Sequence, residues 1–383
     1  MIKKRVLLGC LLLGAITYSQ QKKIAIPMTA RAWEHNPEQV EFVKHRGVPA
    51  VRATSEDGFR IALKDQEFSN GTIEFDVEFT GIGFPGIGFR HSDDLKNGEF
   101  FYIRYFGTVA PLNRYALQYA AFIDGINMWD MTDEYQAAAK IKDGEWNHVK
   151  LVISGKQMKV YVNDMTTPAL HVPALEADRE KGRIYLSGSV IYANLVMTPE
   201  ATENLPETAG YDPTYSDTRY LKDWSTTKPV DLPFERDIFK SVPGAGVVID
   251  STLMDHTSWG SITAERRGMV NLTRKYGATK NGQRRLVWLK TTISSNSEQV
   301  RYLNLGFSDE VWVFMDGQPL FIDRNYYGSP GMKAPRGRCT IENSKIRLPL
   351  KKGTNELLIG LSNYFFGWGL VARLDSTDGI RSK

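Results

Sequence analysis

Cysteine is nearly absent. The 383 residues hold two, Cys10 and Cys339, which excludes a disulfide framework and a cysteine-based zinc site. Histidine is scarce as well. There are six, at 35, 45, 91, 148, 171 and 256, and none falls in a His-Glu-x-x-His or other metal-ligand spacing. No Gly-x-Ser-x-Gly elbow and no phosphate-cradling loop occurs, and the glycines of "GIGFPGIGF" follow no dinucleotide pattern. Helical periodicity is missing from every long stretch. An excess of one charge is missing too. The formal charge is +4, and Lys3, Lys4 and Arg5 stand in a first segment of 20 residues that has no acid. The remainder is nearly neutral, so nothing general draws it to nucleic acid or to an anionic membrane.

What is present begins at that first segment. "MIKKR" is a basic start, and "VLLGCLLLGAI" is an apolar run of 11, too short for a membrane span and the length of a signal core. Residues 1–20 therefore read as a signal peptide, with a periplasmic, cell-surface or extracellular destination and no transmembrane segment in the mature chain. "LLGC" at Cys10 also has the look of a lipobox, an alternative that the h-region length disfavours.

Short alternating runs dominate the rest. "TIEFDVEF", "FFYIRYF", "YALQYAAFI", "HVKLVISG", "KVYVND" and "RIYLSGSV" are each bounded by turn residues, the pattern of an all-β sandwich. Between about Thr198 and Asp223 the composition shifts to Pro, Thr, Glu and Asp without apolar period, which reads as a linker or strap. Further strands follow in "GQRRLVWLKTTIS", "YLNLGFS", "EVWVFMDGQPLFI", "KIRLPL" and "NELLIGLSN". Asp316-Gly317 in this region is a hairpin signal. The expectation is an all-β chain of two jelly-roll sandwiches, at 21–198 and 224–383, joined by a strap at 199–223.

One strand invites a catalytic reading. In "TIEFDVEF", Glu74, Asp76 and Glu78 alternate with Ile73, Phe75, Val77 and Phe79, so the three acids share one face. A retaining glycosidase needs two carboxyls about 5–5.5 Å apart, and i, i+2 neighbours on a strand come near that. The plainer reading is a half-buried strand with a polar outer face. Calcium on loop acids such as Asp93, Asp94 or Asp124 is a further option, without regular ligand spacing to support it; no other cofactor is implied.

Residues 24–198, through "FSNGTIEFDVEF", "GIGFR", "FFYIRYF", "RYALQYAAFIDG", "DGEWNHVKLVISGKQMKVYVND" and "GRIYLSGSVIYANLVM", resemble a concanavalin A-like lectin/glucanase domain of the laminin-G-like kind. They are also similar to the 3-keto-disaccharide hydrolase domain. Residues 224–376, through "VWLKTTISS", "LNLGFSDEVWVFMDGQPLF" and "LPLKKGTNELLIGLSNYFFGWGLVARLD", resemble a galactose-binding-like jelly roll. The resemblances imply glycan recognition or breakdown, on folds that host lectins, hydrolases and inert spacers alike. Strand parity nominates Tyr102, Arg104 and Gln118 as glycan contacts, with Arg90 at the end of the Gly-rich strand and Trp129 in the loop "INMWDM", since sugars take flat aromatic faces and planar polar groups. On the second region a loop rim of Trp259, Tyr326 and Tyr327, with Asp255 and His256, is a candidate, while Trp368 reads as buried between its glycines. The leading expectation is an exported carbohydrate-binding protein. The alternatives are a glycoside hydrolase worked by the acids of the first sandwich, including the 3-keto-disaccharide type, and a structural or interaction module.

Overall fold

The computed structural model describes residues 22–382 apart from 108, 109, 111, 245, 255–257 and 281. The proposed signal peptide, Cys10, Asp255 and His256 lie outside the described residues. The fold is nearly all β.

The first half forms two antiparallel sheets. One, here called the acidic sheet, runs Leu170–Val172, Gln157–Val162, Asn147–Ser154, Gly71–Phe79, Val190–Pro199, Val48–Ala53 and Val40–His45. The other, the aromatic sheet, runs Ile126–Asn127, Leu117–Ile123, Gly98–Ile103, Gly86–His91, Gly182–Gly188, Phe59–Phe68 and Trp33–Glu34. Period-2 alternation explains why they pack face to face. Ile73, Phe75, Val77 and Phe79 of the acidic sheet meet Ile87, Phe89, Phe101, Ile103, Leu117 and Tyr119 of the aromatic sheet in one buried core.

The second half is a further sandwich. Its larger sheet carries Asp223–Thr226, Arg285–Ser295, Gly353–Asn363, Glu310–Met315 and Gln318–Arg324. Its smaller one carries Met269–Asn271, Gly369–Leu374, Gln299–Ser308 and Ser344–Leu350. The Asp316-Gly317 hairpin forms as expected. Met315 pairs with Gln318, and φ is +49° at Asp316 and +78° at Gly317, the left-handed pair that a two-residue turn needs. Trp368 is fully buried in the core of this half.

Residues 200–222 hold no strand and bind both halves. Lys156 N–H donates to Glu207 O at 2.7 Å and Gly210 N–H to Pro173 O at 2.7 Å. Farther along, Leu221 N–H donates to Ala372 O and Leu374 N–H to Arg219 O.

The halves also pack directly. Ala121, Ile123, Met128 and Met131 share an apolar cluster with Met269, Cys339 and Val371. Around it, Arg267 pairs with Glu134 and Glu176, and Arg274 with Asp178. Cys339 is a buried free thiol.

Candidate functional site

The outer face of the aromatic sheet is built by a few small residues. Gly86 and Gly88 face Tyr102 and Phe100 across the strand pair. A Cβ on Gly88 would stand 2.0 Å from Tyr185 Cε1, and one on Gly86 would stand 2.7 Å from Tyr102 Cβ. The missing side chains make room for a stacked aromatic layer: Phe100 lies 5.2 Å from Tyr102 and 5.7 Å from Tyr185, near parallel to both. The glycines of "PGIGF" thus serve packing.

Above this layer, where loops of the second half reach over the sheet, is an open cavity of about 220 Å³. Its floor comes from Phe100, Tyr102, Arg104 and Trp129, and its other wall from Tyr327, Phe365, Phe366, Arg336 and Arg338. Trp129 sits edge-on to Tyr327 at 5.0 Å and to Phe366 at 5.7 Å. Phe84, Phe106, Tyr327 and Phe366 are 37–51% exposed around the mouth.

Polar order below the cavity centres on Gln118, fully buried and opposite Tyr102 in the sheet. Its Nε2 donates to Trp129 O at 2.7 Å and to Thr132 Oγ1 at 3.1 Å, fixing the turn that carries the tryptophan. Its Oε1 accepts from Tyr102 OH at 3.0 Å and from Arg104. Arg104 also donates to Tyr102 OH at 2.6 Å and to Tyr115 O at 3.2 Å. Burial pushes the Tyr102 phenol up to about 12, so it serves as a donor and not as a base near neutral pH. Arg338 is 2% exposed, 5.0 Å from the Trp129 ring and 5.1 Å from that of Tyr115. Burial and then the neighbouring charge of Arg104 lower its pKa to about 10.

Two buried carboxylates shape the second wall. Asp130 accepts the Gly367 N–H at 3.1 Å, and its backbone oxygen accepts the Cys339 N–H at 2.9 Å. Asp309 accepts the N–H groups of Tyr364 at 2.8 Å and Phe365 at 3.0 Å. One belongs to each half, and together they place the loop that carries Phe365 and Phe366. Burial raises Asp130 to about 7 and moves Asp309 well above the ordinary range, against the pull of these hydrogen bonds.

Of the residues nominated from sequence, Tyr102, Arg104 and Trp129 line this cavity and Gln118 lies directly under it. Arg90 needs correction. It is 2% exposed, and its three nitrogens donate to Ser69 O at 2.9 Å, Gly155 O at 2.8 Å and Asn70 Oδ1 at 2.9 Å. It ties the "FSNG" turn to the "VISG" turn, and its burial keeps it from a ligand. Its place at the strand end misled because its φ is +54°, where the strand is bent out of the regular alternation. Tyr327, read as a rim residue of the second half, faces Trp129 instead. Arg336, Arg338, Phe365 and Phe366 carried no sequence signal toward this place.

The three acids occupy the outer face of the other sheet, as the alternation requires. His148 Nδ1 lies 2.7 Å from Asp76 Oδ1, and Asn194 Nδ2 donates to Asp76 Oδ2 at 2.7 Å. His148 Nε2 is 3.4 Å from Glu74. Glu78 meets His45 at 3.0 Å and Arg46 at 2.8 Å. The hydrogen bond to Asp76 raises His148 against its partial burial. Burial works to raise Asp76, but His148 and Asn194 overcome it and lower the pKa. None of the three acids lines the cavity. Among the described residues, no group of three or more His, Cys, Asp or Glu side chains is placed to hold a metal. Asp94 accepts from Ser92 and Lys96 in its own turn, and Asp124 accepts the Ala278 N–H at 2.8 Å.

The first half is a two-sheet antiparallel β-sandwich. Residues 29–195 match the family model of the 3-keto-alpha-glucoside-1,2-lyase-like domain. No curated protein matches the chain. Among solved structures, a carbohydrate binding module from Bacillus subtilis is 16% identical, with a TM-score of 0.33, over 43% of this chain and 95% of its own. A Bacillus licheniformis β-glucanase is 11% identical, with a TM-score of 0.34, over 47% and 99%. The exoplasmic/lumenal domain of VIP36, in a Ca²⁺- and mannose-containing glycan-bound form, is 10% identical, with a TM-score of 0.34, over 51% and 92%.

Proposed function

We propose that this chain is an exported or envelope-associated carbohydrate-binding protein whose ligand lodges in the cavity between the aromatic sheet and the loops of the second half. One observation carries the reading: aromatic faces and guanidinium groups converge on a cavity that, among the described residues, no carboxyl or histidine side chain lines. Aromatic rings take the C–H faces of a sugar, and arginine, tyrosine and asparagine meet its hydroxyls. Glycoside cleavage by paired carboxyls has no pair there to perform it. Export rests on the basic and apolar start of the sequence. The second half, similar to a galactose-binding-like jelly roll, acts in this reading as the wall that closes the site.

The test is retention on a panel of plant, algal and host glycans, with Trp129→Ala and Glu74→Gln beside the natural chain. Retention lost with Trp129→Ala and kept with Glu74→Gln supports the cavity. Retention indifferent to Trp129→Ala refutes it.

The family match favours a second reading, hydrolysis or lysis of a 3-keto-glucoside. On this chain the candidates are Glu74, Asp76 and Glu78, with His148 beside the first two. Product release abolished by Glu74→Gln or Glu78→Gln, with the fold intact, would establish it in place of the first.

A further inference from the structure

The cavity holds more positive charge than the protein neutralises. Arg104 bonds only to neutral oxygens, those of Tyr102, Gln118 and Tyr115. Arg336 is exposed at the mouth, with its guanidinium 4.8 Å from the Tyr115 ring. Among the described residues, neither Arg104 nor Arg336 forms an ion pair. Arg338 makes one ion pair, a long one, with Nε 3.8 Å from Asp133 Oδ1. That distance is too long for a hydrogen bond, and Nε has no hydrogen-bond partner although the side chain is 2% exposed. Asp133 is in any case claimed by Arg114, whose Nη2 lies 3.1 Å from both carboxylate oxygens. Asp130, the other acid nearby, is buried on the Gly367 N–H, and burial disfavours its charged form.

Three like charges gathered on a half-enclosed aromatic cavity repel one another, and burial strengthens the repulsion. A neutral sugar would leave that repulsion in place. An anionic group would relieve it and accept the forked donors that guanidinium presents. We infer that the cavity selects glycans bearing a negatively charged substituent, a carboxylate or a sulfate, with Arg336 as the accessible contact and Arg104 and Arg338 as the buried field behind it.

This inference rests on the cavity being the glycan site, and the experiment separates the two. Matched glycan pairs are compared by isothermal titration with the full chain: uronate oligosaccharides against their methyl esters, and sulfated polysaccharides against their desulfated forms. The expected result is binding of a charged member, weakened by added salt, and lost roughly tenfold in its neutral partner and in Arg336→Gln. The uronate and sulfate arms report which anion is read. Arg336 is exposed, so its replacement leaves the fold in place. Neutral partners bound as tightly as charged ones, with Arg336→Gln silent and Trp129→Ala damaging, would overturn the anionic preference and leave the glycan site standing. Binding that survives Trp129→Ala, or is absent for every glycan, would remove the site and this inference together.

Discussion

The two outer faces of the first sandwich pose the same problem and solve it differently. On the acidic sheet, Glu74, Asp76 and Glu78 are answered by residues of the same half: His148, Asn194, His45 and Arg46. On the aromatic sheet, Arg104 keeps to Tyr102, Gln118 and Tyr115 of its own half, but Trp129 is answered by Arg338, Tyr327 and Phe366 of the second half. The first face is a closed account of charges with local partners. The second is completed by distant chain and left open at its mouth. A regular pattern of charges is therefore a poorer guide to a site than a set of side chains whose partners come from elsewhere.

The largest effect that would test this contrast is expected at Gly88→Ala. The added Cβ collides with Tyr185 in a close-packed layer, so a loss of about 3 kcal/mol is expected in urea unfolding. Glu74→Ala, on the other face, should stay within about 0.5 kcal/mol. Equal values would mean that the aromatic layer is not tightly packed. Next in size is Gln118→Leu, which removes the acceptor shared by Tyr102 and Arg104 and should cost about 2 kcal/mol, with glycan retention weakened in parallel. A benign Gln118→Leu would erase the distinction between the faces.

The pH response sharpens it further. Burial raises two carboxyls to about 7: Glu99, fully buried inside the first sandwich where it accepts from the Tyr119 hydroxyl, from 4.5, and Asp130 from 3.8. Between those values the folded chain holds protons that the unfolded chain has lost, so stability falls as pH rises toward about 7. Melting temperature should accordingly be lower at about pH 8 than at about pH 5.5, and Glu99→Gln should flatten the difference.

The smallest effect belongs to the acidic face. His148 is raised by its bond to Asp76, so its contribution is complete below 6.5 and is lost as pH rises through the raised value. Asp76 is lowered, so its contribution is present above 3.8 and is lost as pH falls through the depressed value. His148→Ala should thus cost most between these limits. With His148 40% exposed, solvent screening holds the cost under about 1 kcal/mol. A larger loss, or one that persists in alkali, would show that the pair does more than satisfy a surface.

Much of this was legible in the order of residues. Alternation in "TIEFDVEF" and "FFYIRYF" assigned inner and outer faces, because a strand has one period and a sandwich has one core. Tyr102, Arg104 and Gln118 followed from it. Arg90 did not, since its positive φ breaks the alternation and no pattern of side chains records a backbone angle. The second wall stayed invisible for another reason. Arg338 approaches Gln118 across 220 positions, and the docking that brings them together is set by Arg267, Arg274 and a small apolar cluster whose members look ordinary one at a time.

The loop from 364 to 367 hangs on one carboxylate from each half. Its shape is therefore a readout of whether the halves are joined. A protease cut in the strap, or a truncation after residue 199, would leave a sheet with bare rings, prone to stick to surfaces and blind to its ligand. Such fragments would behave as two keys to one lock. Mixing them and watching recognition return would show that the cavity is assembled at a seam and inherited by neither piece.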